Sequence, residues 1–283
     1  MAYLTLAAGY VKDVEGVRGF ADSEADELGI GSYTLLEREG NPEPTFEETE
    51  PGSGSFFNSV GMKNKSISYV EAHLDEMIEI AGPKQLRFSL APLAQGDLKK
   101  MIPVFRGRKV KIEINTGCPN IWYEDGTQKL LICHDLYGFE QTLVEVVEAR
   151  GDLYIAVKLS GLPDYLEVPI IELCHFYGMD EVVKMNTRPN VPAVDRHGKQ
   201  LLAMLLAGLS GRAIHEEAVA EVRKTRKAID SIPSCTLRLG GCGGVSSFQD
   251  VLDFEEAGAD AGVQVASYAF KKGPQAMRAL RAV

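Results

Sequence analysis

The chain has few cysteines, no excess of basic residues and no long apolar run, and each shortage excludes a class of protein. Its five cysteines include no Cys-x-x-Cys pair, which argues against a disulfide framework or a zinc site and fits reduced thiols. No run approaches the roughly 18 apolar residues of a membrane span, and the amino terminus lacks a signal-peptide pattern. The net charge of −10 argues against a nucleic-acid-binding surface. We therefore expect a soluble cytoplasmic protein with neither a membrane nor a nucleic-acid partner.

The chain does contain an alternation of strand-like and helix-like segments over its 283 residues. Hydrophobic content of 45% and charged content of 25% are typical of a globular protein. Eight apolar segments have the pattern of buried strands: 3–8, 30–36, 85–91, 110–115, 154–159, 181–186, 235–241 and 262–266. Helix-like segments lie at 15–28, 65–80, 96–102, 140–149, 165–177, 213–229, 248–257 and 274–280. This alternation predicts one α/β domain over residues 1–283, a (β/α)8 TIM barrel.

Two proline-containing segments interrupt the alternation. Residues 37–54 contain three prolines and residues 188–198 contain two, so neither segment can be a regular helix. Each follows a predicted strand, and we interpret both as irregular excursions at the carboxyl-terminal face of the barrel, where active sites of this fold lie; the first could also be a small hairpin over the strand end. A further polar loop follows Asn120 and carries the turn pair Asp125-Gly126.

The segment KIEINTGCPN, residues 111–120, places an amide, a thiol and a second amide at the end of a predicted strand. Its alternation of apolar and polar residues is broken by a glycine and a proline, so Asn115, Cys118 and Asn120 lie together. Such a cluster can hold a planar polar ligand. A thiol with a reference pKa of about 8.5 ionises near neutral pH if its site lowers that value. The pattern alone leaves Cys118 as a nucleophile, a base or an inert buried thiol, and we interpret the other four cysteines as packing residues.

Two glycine-rich segments point to a phosphate site. Residues 207–211 (AGLSG) and 240–244 (GGCGG) each stand between a predicted strand and a helix. Glycine lets the backbone approach a ligand closely, and free N–H groups at a helix start bind phosphate. Tight turns that need a positive φ are the alternative. We favour phosphate because barrels commonly bind it in the loops after their last two strands.

Three other positions have a functional and a structural interpretation. Lys158 ends an apolar strand, where a bound anion, an electron-rich ring or a side chain reaching for solvent would account for its charge. Residues 58–62 (NSVGM) form either a turn at the site or the start of the helix that follows Asn64. The pair Asn186 and Thr187 either faces a ligand or caps a turn.

Taken in order, these segments resemble the dihydroorotate dehydrogenase family, whose members are FMN-containing (β/α)8 barrels. The family's NSMGLPN, ELNLSCPN, VK(L/M)PP and GGLSG motifs are similar to NSVGMKN, EINTGCPN, VKLSG and AGLSG here. Its closing glycine-rich block is similar to GCGGVSSFQD followed by EEAGADAGVQVASYAF. The match extends from about Leu4 to the carboxyl terminus.

One segment narrows the resemblance to a subclass. REGNP in LEREGNPEP resembles class 1A enzymes, which are soluble homodimers that pass electrons to fumarate. A cysteine rather than a serine at the base position argues against the membrane-bound class 2. The resemblance therefore implies oxidation of dihydroorotate to orotate in pyrimidine biosynthesis, with FMN as cofactor, fumarate as electron acceptor, and a homodimer.

The resemblance also assigns roles to individual residues. Cys118 would be the base that takes a proton from C5 of dihydroorotate while C6 gives hydride to flavin N5. Lys158 would stabilise the negative charge of reduced FMN beside its N1–O2 edge. The substrate would contact Asn58, Gly61, Met62, Asn115, Asn120, Asn186 and Thr187. FMN would contact Ala8, Gly9, Ser32, Asn115, Lys158, Ser210, Gly211, Gly243, Gly244, Ala266 and Ser267. No metal is expected.

The chain departs from the family pattern at charged positions, and one of them would lie in the site. The family has a lysine that touches FMN and orotate at the end of the second strand, where this chain has Gly31 followed by Ser32, and no lysine nearby in the sequence replaces it. Two alternatives remain, and this difference favours the first of them. One is a paralogous FMN oxidoreductase that acts on another planar ring or an enone, and the other is a non-catalytic flavin-binding relative.

Overall fold

The computed structural model of the protein describes residues 3–121 and 129–281. Its strands, in chain order, are β1 (Leu4–Leu6), β2 (Glu27–Tyr33), β3 (Phe46–Glu48), β4 (Ser55–Asn58), β5 (Gln85–Leu90), β6 (Lys111–Asn115), β7 (Tyr154–Lys158), β8 (Glu181–Lys184), β9 (Arg188–Pro192), β10 (Leu206–Gly211), β11 (Arg238–Cys242) and β12 (Gly262–Val265). Its helices are α1 (Val14–Phe20), α2 (Ser66–Ala81), α3 (Asp97–Met101), α4 (Leu136–Arg150), α5 (Asp164–Phe176), α6 (His215–Ser231), α7 (Phe248–Glu256), α8 (Ser267–Lys272) and α9 (Ala276–Ala279).

Eight of the strands form a closed parallel barrel in the order β1-β2-β5-β6-β7-β8-β11-β12. The closing pair joins β12 to β1, with Leu4 opposite Val263 and Leu6 opposite Val265. Both faces of these strands are covered, which is why their sequences read as nearly continuous apolar runs. The prediction of a (β/α)8 barrel is confirmed, and each of the eight predicted strands supplies one strand of the barrel.

The first helix is shorter than the sequence predicts, and the second strand has the predicted length but begins three residues earlier, at Glu27. Helix α1 ends at Phe20, and Glu27 and Leu28, predicted as helix, belong to β2. The acidic Glu27 resembles an exposed helix residue in the sequence, but its carboxylate is fully buried and pairs with Arg87 and Lys111 inside the barrel. Tertiary ion pairing therefore reversed a prediction that was based on local composition.

The two predicted excursions meet in a second sheet. Strands β3 and β4 come from the first excursion and its exit, β9 from the second, and with β10 they form an antiparallel sheet in the order β3-β4-β10-β9. The prediction that residues 207–211 form a turn after a barrel strand is wrong, because they belong to β10, where Ser210 pairs with Phe56 and Gly211 with Ser55. The predicted turn at Asp125-Gly126 lies outside the described residues, and the single domain over 1–283 stays a prediction.

A buried ionic network fills the barrel below its carboxyl-terminal face. The Arg87 guanidinium donates to both carboxylate oxygens of Glu181, at 3.0 and 2.9 Å, and also pairs with Glu27. Gln264 extends the network upward, since its Nε2 donates to Glu113 at 2.7 Å and its Oε1 accepts from Lys158 at 2.7 Å. The network therefore ties the barrel interior to the cation at the end of β7. Among the described helices, none is long and apolar enough to cross a membrane.

Candidate active site

A cavity of about 1040 Å³ opens at the carboxyl-terminal face of the barrel, beneath the second sheet. Small-molecule sites usually have volumes of about 300–1,000 Å³, so this cavity is large enough for a nucleotide-sized ligand. Every residue that the sequence predicted for the site lines it: Ala8, Gly9, Ser32, Asn58, Gly61, Met62, Asn115, Cys118, Asn120, Lys158, Asn186, Thr187, Ser210, Gly211, Gly243, Gly244, Ala266 and Ser267.

These residues reach one cavity because parallel barrel strands all end at the same face. Asn115 ends β6, Lys158 ends β7, and Ser32 lies near the end of β2. The second sheet contributes from above, through Asn58 at the end of β4 and Ser210 on β10. The predicted start of a helix at residues 58–62 is not observed, since α2 begins at Ser66, and that segment instead follows β4 along the cavity wall.

Four asparagines form two hydrogen-bonded pairs on the cavity wall. Asn120 donates to Oδ1 of Asn58 at 2.7 Å, and Asn186 donates to Oδ1 of Asn115 at 3.0 Å. Asn115 in turn donates to the Ser32 hydroxyl at 2.9 Å. Each amide has both donors and an acceptor, so the pairs fix the orientation of groups that can also bind the edge of a polar ring.

Several polar groups on the wall have no partner among residues 3–121 and 129–281. The hydroxyl oxygen of Thr187 is buried and makes no hydrogen bond within these ranges. The backbone N–H groups of Gly61 and Met62 likewise have no acceptor among the residues that the structure describes. Buried polar groups are normally paired, so these orphans mark places where a polar ligand would complete the hydrogen bonding.

Cys118 is half-buried on the wall between this cavity and a smaller one of about 420 Å³. Burial raises the pKa of its thiol to about 11, although the backbone N–H of Asn120 and the charges of Lys12 and Arg38 oppose that rise. In this state the thiol is protonated at neutral pH. The site therefore holds the thiol where a ligand can reach it and surrounds it with groups that favour the thiolate.

Lys158, a second ionisable residue that lines the cavity, is buried at the end of β7. Burial opposes its charge, but the neighbouring Cys242 thiol and the Glu113 carboxylate raise the pKa of Lys158 above its ordinary value. A lysine in this setting is a fixed cation, which suits a ligand that carries or acquires negative charge. Of the two interpretations of Lys158, solvent-seeking is excluded by its burial.

A third region of the cavity is built for close approach of a backbone to an anion. The N–H groups of Gly243 and Gly244 have no acceptor in the described part of the chain. A Cβ atom at Gly243 would come within 2.4 Å of Ala218, and one at Gly211 within 2.2 Å of the Gly54 carbonyl oxygen. Nearby, the Ser267 hydroxyl donates to Ser210 at 3.0 Å. Small residues and free N–H groups in this combination are typical of a phosphate-binding site, and we refer to them as the candidate phosphate cradle.

The residues that the sequence did not predict include Asn41, which braces the cavity wall, and two that line the cavity, Cys242 and Lys12. Asn41 donates to the Ser59 carbonyl at 2.7 Å and to the Asn120 carbonyl at 3.4 Å, and so connects two segments of the cavity wall. Cys242, interpreted as a packing residue, packs against small barrel residues but also lines the cavity beside Lys158. Lys12 lines the cavity too. Of these three residues, only Asn41 could have been predicted from the sequence, because it lies within the REGNP motif.

Comparison with known proteins identifies the relatives of this chain. A family model described as dihydroorotate dehydrogenase matches residues 2–282. The dihydroorotate dehydrogenase B (NAD(+)) catalytic subunit of Geobacter sp. (strain M21) is 28% identical over 282 residues, covering 96% of this chain and 87% of that protein. The dihydroorotate dehydrogenase A (fumarate) of Limosilactobacillus reuteri (strain DSM 20016) is 28% identical over 246 residues, covering 86% and 75%.

A solved structure supports the fold independently. The crystal structure of DHODH in complex with ferulenol from Eimeria tenella matches with a TM-score of 0.80 at 18% identity, covering 98% of this chain and 79% of that one. At 18% identity this similarity supports the barrel fold and nothing further.

The cavity has the chemistry that FMN, the cofactor of this family, requires. The N–H groups of Gly243 and Gly244, which have no acceptor among the described residues, would suit its phosphate, and the buried cation Lys158 would suit its flavin ring. The cavity volume of about 1040 Å³ leaves room for a substrate beside the ring. Because the family model covers nearly the whole chain and the site fits the cofactor, this protein belongs to the dihydroorotate dehydrogenase family and is an FMN-dependent oxidoreductase.

Proposed function

We propose that this protein oxidises dihydroorotate to orotate, with Cys118 as the base. One observation carries the proposal: Cys118 shares a cavity wall with the paired asparagines Asn58, Asn115, Asn120 and Asn186, while Lys158 lies on the same cavity at the end of β7. A thiol, four amides and a cation around one space suit a flat ring that has alternating donors and acceptors and loses a proton and a hydride.

The reaction removes one proton and one hydride from adjacent carbons of dihydroorotate. Cys118, as the thiolate, takes the proton from C5, and the electrons of that C–H bond form the C5–C6 double bond as hydride leaves C6. When bound, FMN supplies the hydride acceptor. Lys158 stabilises the negative charge that accumulates on that side of the site.

The amide side chains hold the ring in one orientation and exclude other orientations. Asn115 and Asn186 bind one edge and Asn58 and Asn120 the other, exchanging their mutual hydrogen bonds of 3.0 and 2.7 Å for bonds to the ring. Thr187, whose buried hydroxyl oxygen has no partner in the part of the chain that the structure describes, donates to the ligand as well. Orientation of this kind converts binding energy into alignment of C5 with the thiolate.

For the electron acceptor we propose fumarate, with the protein acting as a cytoplasmic homodimer. The support is the REGNP segment, residues 38–42, whose Asn41 bridges the wall of the cavity by donating to Ser59 and Asn120. Relatives of similar identity carry the names of both the fumarate and the NAD(+) types, so NAD+ is the second candidate acceptor. Reoxidation of the reduced protein by each acceptor separates the two.

An anaerobic titration with dihydroorotate tests the proposal directly. We expect the purified protein to be yellow, to lose that colour stoichiometrically on adding dihydroorotate without oxygen, and to regain it on adding fumarate. The matched control is Cys118→Ala, which should keep the flavin and be bleached more slowly by a factor of at least about 100, the usual contribution of a general base. A wild-type spectrum that dihydroorotate leaves unchanged would reject dihydroorotate as the substrate.

A second candidate function is oxidation or reduction of another planar ring or an enone. The observation that favours it is the end of β2, where Gly31 and Ser32 leave no cation. In that case a panel of cyclic imides and enones would change the flavin spectrum while dihydroorotate would not. A non-catalytic protein would respond to no member of the panel, and Cys118→Ala would change nothing.

A further inference from the structure

Lys12 lies in the segment after β1 but is held against the end of β2. The Gly31 N–H donates to the Val11 carbonyl at 2.8 Å, and the buried Tyr33 hydroxyl donates to the Lys12 carbonyl at 2.9 Å. The half-buried Lys12 side chain then lines the main cavity. Although Lys12 belongs to the loop after β1, its backbone is therefore held beside the end of β2.

Position 31 itself cannot carry a side chain. Its φ of +113° belongs to the region that favours glycine, and a Cβ atom there would lie 2.7 Å from the Ser89 carbonyl oxygen. Ser32, the next residue of β2, lines the cavity with a neutral hydroxyl, so in this chain a cation at this edge has to come from another element.

The Lys12 ammonium has unused donors. An ammonium carries three N–H groups, and in the described residues the Lys12 Nζ donates to one acceptor, the Lys63 carbonyl, at 2.8 Å. No carboxylate of the described chain lies within 4.0 Å of it, whereas the cavity cations Lys158 and Lys271 have Glu113 and Glu48 within that distance. A half-buried lysine without a carboxylate is a position that an anion would stabilise.

The groups next to this ammonium are also suited to an anion. The lysine is attached to the segment that contains Gly61 and Met62, whose N–H groups have no acceptor among the described residues. Burial lowers the pKa of Lys12, with Lys63 acting in the same direction and Cys118 opposing it, so an anion at this point would favour the charged form. The same ammonium lowers the pKa of Cys118, and the two groups therefore face one small region.

We propose that Lys12 binds the carboxylate of the substrate, together with the backbone N–H groups of Gly61 and Met62. This inference rests on the proposed function and deepens it, because it names the group that recognises the charged part of dihydroorotate. It makes Lys12 a specificity-determining residue, one that distinguishes a ring with a carboxylate from the same ring without one.

Binding of orotate and of uracil, which lacks the carboxylate, tests the inference in the oxidised holoenzyme. Both ligands are titrated while the flavin absorption is followed, in the wild type and in Lys12→Met, Lys12→Arg and Lys63→Met. We expect Lys12→Met to weaken orotate binding by about tenfold or more and to leave uracil binding unchanged, since a hydrogen bond between charged groups contributes that much. Lys12→Arg should restore part of the orotate affinity. Lys63→Met, which removes a neighbouring positive charge that opposes the charged form of Lys12, should weaken the binding of neither orotate nor uracil.

A measurement on the unmodified protein does not depend on how the variants fold. Acetic anhydride should modify Lys12 of the wild-type holoenzyme more slowly when orotate is bound, and uracil should give no such protection. Lys63, which is exposed, is the internal reference in the same mass spectra.

The outcomes separate this inference from the proposed function. Suppose that dihydroorotate bleaches the flavin. If Lys12→Met then weakens the binding of orotate and of uracil equally, or weakens the binding of neither, the inference is wrong and the proposed function stands. Absence of orotate protection at Lys12 leads to the same conclusion. If the wild type does not prefer orotate to uracil, the site takes no carboxylate, and both proposals fail.

Discussion

At the scale of single residues, the site combines a thiol that resists ionisation with groups that promote it. Burial raises the pKa of Cys118 to about 11, and the Asn120 N–H, Lys12 and Arg38 work against that rise. A serine in the same place would be a weaker acid still, so near neutral pH a cysteine would reach the anionic form needed for the proposed role of base more readily than a serine would.

This environment predicts a steep pH dependence of the first half-reaction. Because the pKa of Cys118 lies near 11, the thiolate fraction grows about tenfold per pH unit below that value, and the rate constant of flavin reduction should follow it. Stopped-flow measurement without oxygen between pH 6 and pH 10 would record the profile. A plateau that begins below about pH 8 would contradict the prediction, and Cys118→Ser, as the control, should be slower at every pH.

At the scale of elements, the second sheet closes the cavity from above and brings the candidate phosphate cradle together. Strand β10 carries Ser210 and Gly211 to the cavity, and β4 holds it in place through the pairing of Gly211 with Ser55. The Gly54 carbonyl that faces Gly211 accepts from Arg212 N–H at 3.0 Å, and the Gly54 N–H is held by Glu48 at 2.8 Å. The backbone at this contact therefore has little freedom to shift.

Adding one methyl group at this contact should weaken FMN binding. In Gly211→Ala the new Cβ would lie 2.2 Å from the Gly54 oxygen, so β4 and β10 must separate, and we expect FMN affinity to fall by about tenfold or more with a stability loss of about 1–3 kcal/mol. The matched control is Gly198→Ala. Its φ of +81° resembles the +77° of Gly211, but no atom lies within 4 Å, so it carries the backbone strain alone. Flavin content after dialysis measures the difference, and equal losses in both variants would contradict the prediction.

At the scale of the whole molecule, a charged interior supports the barrel. Arg87 is almost fully buried and contacts Glu27 and Glu181, each of which is also buried. Burial raises the pKa of the Glu27 carboxyl, but the Arg87 and Lys111 charges outweigh burial and hold that pKa below its ordinary value. These contacts join β2, β5, β6 and β8 across the barrel interior.

Removing the central cation should destabilise the entire fold. Arg87→Met leaves buried carboxylates without their partner, and breaking a buried ion pair costs about 3–5 kcal/mol. Arg108→Met is the control, because Arg108 pairs with Asp75 at the surface, where 45% and 76% of the two side chains are exposed, and such pairs contribute about 1 kcal/mol or less. Urea unfolding followed by circular dichroism compares the midpoints. Similar midpoints for the two variants would contradict a supporting role for the network.

The sequence by itself determined the barrel strands and the segments that line the site. Buried strands and strand-end turns have local patterns, so eight strands and motifs such as NSVGMKN and EINTGCPN were predictable without a structure. The patterns failed where partners are distant in sequence. Glu27 looked helical until Arg87 paired with it, and residues 207–211 looked like a turn until β4, about 150 residues earlier, paired with them.

Only the tertiary structure decided which groups meet. Closure of the barrel brings the end of every strand to one face, and it sets Lys12, from the first loop, against the end of β2, where the sequence showed no cation. It also pairs Asn58 with Asn120 and Asn115 with Asn186, contacts that span 62 and 71 residues of chain. Local patterns report on backbone conformation and burial, whereas the choice of side-chain partners depends on packing over the whole barrel. That is why the site's residues could be predicted from the sequence and their arrangement could not.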